Sequence, residues 1–220
     1  MHIFLIFAFF LLSFSCYAAA KALFAHFMVD NTEDFTIGDW TDEIYIAKTA
    51  NIDAFALNIA TANAAGGFKL FFSFDYASKG AWDKATVIAL LREYVPNGAY
   101  FHTNTSQPLI STFEGPSNAA DWTEIKSSTG CFFILDWSSY SAKPALALEN
   151  GVADGLFSWA AWPYDGNRVN AYVDASYLQY LKPSDGSAQK PYMMAASPWF
   201  YTNLPGFGKN WAWPDASMSM

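Results

Sequence analysis

Three carboxylates stand directly after apolar runs. Asp75 ends Phe68-Lys69-Leu70-Phe71-Phe72-Ser73-Phe74, Glu114 follows Pro108-Leu109-Ile110-Ser111-Thr112-Phe113, and Asp136 follows Cys131-Phe132-Phe133-Ile134-Leu135. Runs that are apolar on both alternating faces read as strands buried between two layers, as in a parallel sheet under helices. When such strands gather into a barrel, the residues at their C-terminal ends share one mouth. Burial and like-charge neighbours can then split carboxyl pKa values into an acid and a base, the requirement of glycoside hydrolysis. The competing reading is that each acid caps the turn after its strand, since Asp and Glu readily accept backbone N–H groups there. That all three only cap is the poorer expectation.

Aromatic residues collect near the same ends. Trp137, Trp159, Trp162, Trp199, Phe200 and Tyr201 could stack on sugar faces, or could pack the core or rim. Trp159 and Trp162, in Ser158-Trp159-Ala160-Ala161-Trp162-Pro163, are the best placed for binding. His26 lies within an apolar strand and His102 in a loop, and no second His stands at ligand spacing, so no zinc site is expected. His26 reads more readily as a core histidine than as a base. No Gly-x-Ser-x-Gly turn is present for a serine hydrolase.

These residues need a scaffold. Strands are predicted over 22–29, 52–59, 68–75, 108–113, 131–136, 154–161 and 191–197. Helices are predicted from a cap at Asp39 through Ala50, from Asp83 through Val95, from Ser117 through Ser127 with Gly130 as its stop, and from Val169 through Leu181. Strand–helix alternation implies parallel pairing with right-handed crossovers. A doubly wound sheet competes, but its phosphate-binding glycine fingerprint is absent. Only 60–67 separate the second and third strands, where a parallel crossover needs about a dozen residues or more. Either those two strands are antiparallel or a helix has been lost.

Composition narrows the partners. The 220 residues carry a net charge of −8, with 15% charged and 19% aromatic residues, and no basic cluster for nucleic acid. Residues 1–20 read as a secretory signal: Ile3 to Phe14 is apolar except for Ser13, and Ala18-Ala19-Ala20 offers a cleavage site. Residues 21–220 then form one barrel domain, expected to be secreted and monomeric with no stable membrane association. Asn104-Thr105-Ser106 is an N-glycosylation sequon. Cys131 is left without an obvious partner once Cys16 departs with the signal, and reads as a small buried hydrophobe.

The chain resembles the fungal α-1,3-glucanases, or mutanases, of glycoside hydrolase family 71. The matching stretches are Lys21 to Val29, Ile52 to Ile59, Gly67 to Tyr76, Ser111-Thr112-Phe113-Glu114-Gly115-Pro116, Asp136-Trp137-Ser138-Ser139, Gly151 to Trp159, Tyr172-Val173-Asp174-Ala175-Ser176-Tyr177 and Ser197-Pro198-Trp199-Phe200-Tyr201-Thr202-Asn203. The resemblance implies a (β/α)8 TIM-type barrel that cleaves α-1,3-glucan of fungal cell walls with inversion and without a cofactor. It also implies a site drawn from His26, Asn58, Asp75, Tyr76, Glu114, Asp136, Trp137, Trp159, Trp162 and Trp199. Two departures stand out: the helix between strands two and three, and an eighth strand whose Trp-Asn-Asp-x-Gly-Glu-Ser motif carries the family's catalytic pair, have no counterpart here. The barrel is therefore expected to be incomplete, with an unassigned catalytic pair and with Asp75, Glu114 and Asp136 as supporting residues. The chain is expected to be weakly active or inactive; the alternative is a secreted, non-catalytic glucan-binding remnant.

Overall fold

The computed structural model describes residues 22–29, 32–58, 68–161, 171–182, 188–197, 200–204, 206 and 209–213. The expected signal, the 60–67 link, Trp162 and Trp199 lie outside the described residues.

The architecture is α/β. Seven strands, β1 (Phe24–Met28), β2 (Ala54–Asn58), β3 (Lys69–Asp75), β4 (Leu109–Phe113), β5 (Phe132–Leu135), β6 (Gly155–Phe157) and β7 (Tyr192–Met193), form one sheet in sequence order. Every neighbouring pair is parallel. The pairing of β2 with β3, Ala56 opposite Phe71, removes the antiparallel alternative. The last two strands are shorter than the sequence suggests, because pairing between β6 and β7 covers only Leu156–Tyr192 and Phe157–Met193.

The sheet curls. The ring of Trp159, two residues beyond β6, meets the His26 ring of β1 at 4.5 Å and the Phe113 ring of β4 at 5.1 Å. A flat seven-strand sheet would hold its first and sixth strands roughly 24 Å apart at the usual strand spacing. The enclosed face carries Phe24, packed on Phe71 at 4.9 Å and on Phe101 at 5.0 Å, across the small side chains of β2. Among the described residues β1 and β7 are the outer strands of this half-barrel.

Helices cover the other face. Helix α1 (Ile37–Thr49) begins earlier than expected, because Thr36 is its cap. Thr36 Oγ1 accepts from the Asp39 amide at 3.3 Å while the Asp39 carboxylate accepts from the Thr36 amide at 2.7 Å. Its buried Ile44 and Ala47 sit on Phe55, Leu57, Phe68 and Leu70. Helix α2 (Lys84–Tyr94) starts at the expected cap, Asp83, which accepts from the Thr86 amide at 2.9 Å. Its buried face is Val87, Ile88 and Leu91.

Helix α3 (Asp121–Thr129) is shorter than the expected span. Gly115 in a left-handed conformation and Pro116 direct a separate 3-10 turn, Pro116–Asn118, before it. Gly130 ends α3 at φ 66°, as its sequence position implies. Trp122 of α3 stacks on Phe133 at 3.7 Å and 7°, with both rings fully buried, worth about 2–3 kcal/mol of burial each. Helix α4 (Ala142–Leu148) was not anticipated: Pro144 within Ala142-Lys143-Pro144-Ala145 hides a short helix whose first turn tolerates proline. Helix α5 (Tyr172–Leu181) matches the described part of the fourth expected helix.

Two lysines anchor the N-terminal ends of the last strands. Lys126 donates to the Asp154 carboxylate and to the Val152 carbonyl, both at 2.7 Å, and Asp154 also accepts from the Phe133 amide at 2.8 Å. Lys190 donates to Glu149 at 2.8 Å and to the Ala153 carbonyl at 2.7 Å. A Cβ on Gly155 would lie 2.6 Å from the Pro191 carbonyl oxygen, so only glycine lets β6 approach β7 so closely. Cys131 is buried and free, and burial pushes its thiol up.

A second, antiparallel pair, β8 (Phe200–Leu204) and β9 (Lys209–Trp213), follows β7 with Thr202 opposite Trp211. Phe200 and Tyr201 were expected among the aromatics near the barrel strand ends. They belong to a separate hairpin.

Candidate active site

The three acids sit at the C-terminal ends of adjacent strands. Asp75 is the last residue of β3, paired with Phe113 of β4, and Glu114 follows β4 at once. The Glu114 amide donates to the Asp136 carbonyl at 2.7 Å and the Tyr76 amide donates to the Phe113 carbonyl at 2.9 Å, so the three ends are tied side by side.

Each acid also holds the turn that follows a strand. Asp75 accepts from the Ala77 and Ser78 amides at 2.7 and 3.0 Å and from Ser78 Oγ at 2.7 Å. Glu114 accepts from the Ser139 amide at 2.9 Å and from Ser139 Oγ at 2.6 Å. Asp136 Oδ1 accepts from the Ser138 amide at 2.9 Å and from Ser138 Oγ. All three therefore accept hydrogen bonds from turn residues, Asp75 and Asp136 in the turns after their own strands and Glu114 in the turn after β5. The physical reason is that parallel strands end in exposed N–H groups of tight turns, which a neighbouring carboxylate satisfies.

Asp136 is 0% exposed, and its Oδ2 has no hydrogen-bond partner among the described residues. Burial pushes its carboxyl up to about 7, against the pull of the Ser138 hydroxyl and with a further push from Glu114. His26 moves the other way: burial lowers it to about 4, only partly offset by the negative charge of Asp75. Its Nε2 also lacks a partner among the described residues. At neutral pH the mouth thus holds an uncharged imidazole and a carboxyl divided between its neutral and charged forms.

Around the acids, Tyr76 and Trp137 are buried, and neither the Tyr76 hydroxyl nor Trp137 Nε1 has a partner among the described residues. The Tyr76 ring lies where a Cβ on Gly115 would fall, 2.7 Å from Tyr76 Cγ. Burial raises the Tyr76 hydroxyl well above its ordinary range. Trp137 is only 1% exposed, so its ring packs rather than presents a face to solvent. Trp159 is half-buried, and its amide donates to Ser138 Oγ at 2.9 Å. Asn58 ends β2 opposite Met28. Trp162 and Trp199 lie outside the described residues, and Asn104 is exposed in the turn before β4.

The sequence reading missed Ser138, Ser139 and Tyr177. The two serines bind two different acids, and a Ser pair directly after a strand-end acid was the available signal. Tyr177 of α5 is buried near the same carboxylates: its hydroxyl is pushed up by burial first and then by Asp136. Nothing local in the sequence links it to them. Among the described residues no group of three His, Cys, Asp or Glu side chains could hold a metal ion.

The sequence model of glycosyl hydrolase family 71 matches residues 19–219. The chain is 33% identical to the glucan endo-1,3-alpha-glucosidase agn1 of Schizosaccharomyces pombe, an alignment covering 89% of this chain and 50% of that protein. It is 30% identical to a mutanase of Penicillium rubens, over 87% of this chain and 45% of the relative. An ascus wall endo-1,3-alpha-glucanase of Schizosaccharomyces pombe is 25% identical, over 84% and 48% respectively. The chain spans about half the length of the curated relatives it matches. With its half-barrel, its clustered strand-end acids and a match over nearly its whole length, the chain belongs to glycosyl hydrolase family 71.

Proposed function

We propose that this chain forms the sugar-binding part of a (β/α)8 barrel hydrolase acting on α-1,3-glucan of the fungal cell wall. The observation that carries the reading is the joining of Asp75, Glu114 and Asp136 at one end of the sheet, with Trp159 reaching across to His26. The names of the relatives supply the glucan linkage. Inverting hydrolysis would place an acid and a base carboxyl roughly 6.5–9.5 Å apart around a water. The three acids serve that chemistry as supporting groups. The carboxylate oxygens of Glu114 and Oδ1 of Asp136 already accept hydrogen bonds from turn residues, while Asp136 Oδ2 is buried. Residues 1–20 direct export, Asn104 carries a glycan, and the protein works as a monomer without a cofactor.

The same commitment of the acids favours a second reading, a glucan-binding protein with little or no hydrolysis of its own. Two measurements on the purified chain separate these: retention by insoluble α-1,3-glucan, and release of reducing sugar from it. Retention is expected, with slow release or none. Rapid release abolished by Asp75→Asn or Asp136→Asn would show that these residues do the chemistry themselves. Failure to be retained would overturn the glucan reading.

A further inference from the structure

The loop leaving β5 carries Tyr140, whose side chain is 45% exposed at the same end of the sheet as the three acids. Its backbone is pinned on several sides. The Tyr140 amide donates to the Trp137 carbonyl at 2.9 Å. Ser139 is gripped through both its amide and its hydroxyl by Glu114. Ser138 bonds Asp136 and accepts from the Trp159 amide at 2.9 Å. The loop closes at Ser141, with φ 59° and ψ 175°, a region almost reserved for glycine that costs about 1–3 kcal/mol in any other residue. Glu114 itself stands at φ 58°, again left-handed. Beneath the same loop lies the fully buried Asp136, with one carboxylate oxygen unpartnered among the described residues.

A conformation strained at both anchors, held by a carboxylate from the neighbouring strand, fixes the backbone that carries an exposed aromatic residue at the end of the sheet bearing the acids. A backbone fixed in advance leaves only the side-chain torsions to be ordered when a ligand stacks on the ring. Trp159, tied to the same loop by its amide, offers a second aromatic face deeper in the mouth. We infer that Tyr140 is a stacking platform for a pyranose ring of the bound polysaccharide, and that Glu114 is a positioning residue that holds this platform through Ser139. The inference rests on the polysaccharide reading above, and deepens it by assigning a rim subsite and a task for one acid.

The test uses the full chain, with insoluble α-1,3-glucan and starch as binding matrices and amide hydrogen exchange as a second readout. Tyr140→Ala should be retained roughly five-fold more weakly than wild type, the loss of about one stacked ring. Tyr45→Ala, which removes an exposed ring from α1, should bind as wild type. Ser139→Ala and Glu114→Ala should weaken binding and speed exchange at the 139–141 amides. Glu114→Gln, which keeps an acceptor for the Ser139 amide, should retain more binding than Glu114→Ala. Undiminished binding by Tyr140→Ala, or unchanged exchange in both Ser139→Ala and Glu114→Ala, overturns the inference while leaving the glucan reading intact. Wild-type retention on starch alone, with the Tyr140 effect preserved, overturns the α-1,3 linkage and supports the platform. Retention on neither matrix overturns both.

Discussion

The ring of Trp159 stands edge-on to that of His26 at 4.5 Å, joining the end of β6 to β1 across the mouth of the half-barrel. This contact is part of what keeps water from the imidazole, whose pKa is lowered to about 4 chiefly by burial. Trp159→Ala should hydrate the ring and leave the Asp75 charge as the remaining influence, returning the titration toward 6.5 or above. Chemical shifts of the His26 ring protons followed against pH check this. A midpoint still near 4 in the variant would place the burial elsewhere.

Asp136 and His26 give the stability opposite slopes with pH. The Asp136 carboxyl, raised from 3.8 to about 7, keeps a proton in the native state that the unfolded chain releases, so its contribution falls as pH rises through that window. His26, lowered from 6.5 to about 4, refuses a proton that the unfolded chain binds, so its contribution rises with pH between those values. The two effects oppose each other below pH 6.5. Asp136→Asn should therefore expose the His26 effect alone, seen as a urea midpoint that climbs more steeply from pH 4 to 6.5 than in wild type.

Gly115 combines φ 97° with a Cβ position 2.7 Å from the Tyr76 ring. Gly115→Ala should cost about 2–4 kcal/mol through strain and collision together. Adding Tyr76→Ala removes the ring but leaves the Cβ of residue 76 at 2.9 Å from the new methyl, so a double-mutant cycle by denaturant unfolding should show partial favourable coupling between the two changes. Simple additivity would mean that the collision is relieved elsewhere.

Glu149 is nearly buried, and its two oxygens meet Lys190 at 2.8 Å and the Ala153 amide at 2.7 Å. Lys190→Met strands that carboxylate and should cost about 3 kcal/mol. The further change Glu149→Gln, which removes the charge and keeps an acceptor for Ala153, should recover part of the loss in the same unfolding measurement.

The strands were legible because both faces of β3, β4 and β5 are covered, so Phe71, Phe72, Phe74 and Phe133 to Leu135 are buried and apolar, with Ser73 the polar exception. Asp83 and Gly130 were legible as helix signals because capping is local chemistry. Thr36 was passed over for Asp39, since both belong to one capping box and the sequence does not say which residue leads. Helix α4 was hidden by its short length and its proline. The hairpin of β8 and β9 was hidden although Leu204-Pro205-Gly206 between two aromatic stretches is a turn signal, because Phe200 and Tyr201 also fit the run of aromatics near the barrel strand ends. At the site, the grouping of the three acids was legible from their position after strands. The capture of Asp75 by Ser78 and of Asp136 by Ser138 is local and matches the competing cap reading, whereas the capture of Glu114 by Ser139 was not legible, since those two are brought together only by the β4–β5 pairing.

The turn bearing Asn104 lies where β3 and β4 begin, with the Thr103 amide bonded to the Gln107 carbonyl at 2.8 Å and Phe101 joined to Leu70 and Leu109. That is the pole opposite the acids. A fluorophore, tag or resin linker grafted there would leave the face bearing the three acids turned toward solution, which makes this turn the natural handle for single-molecule or immobilised assays of the protein.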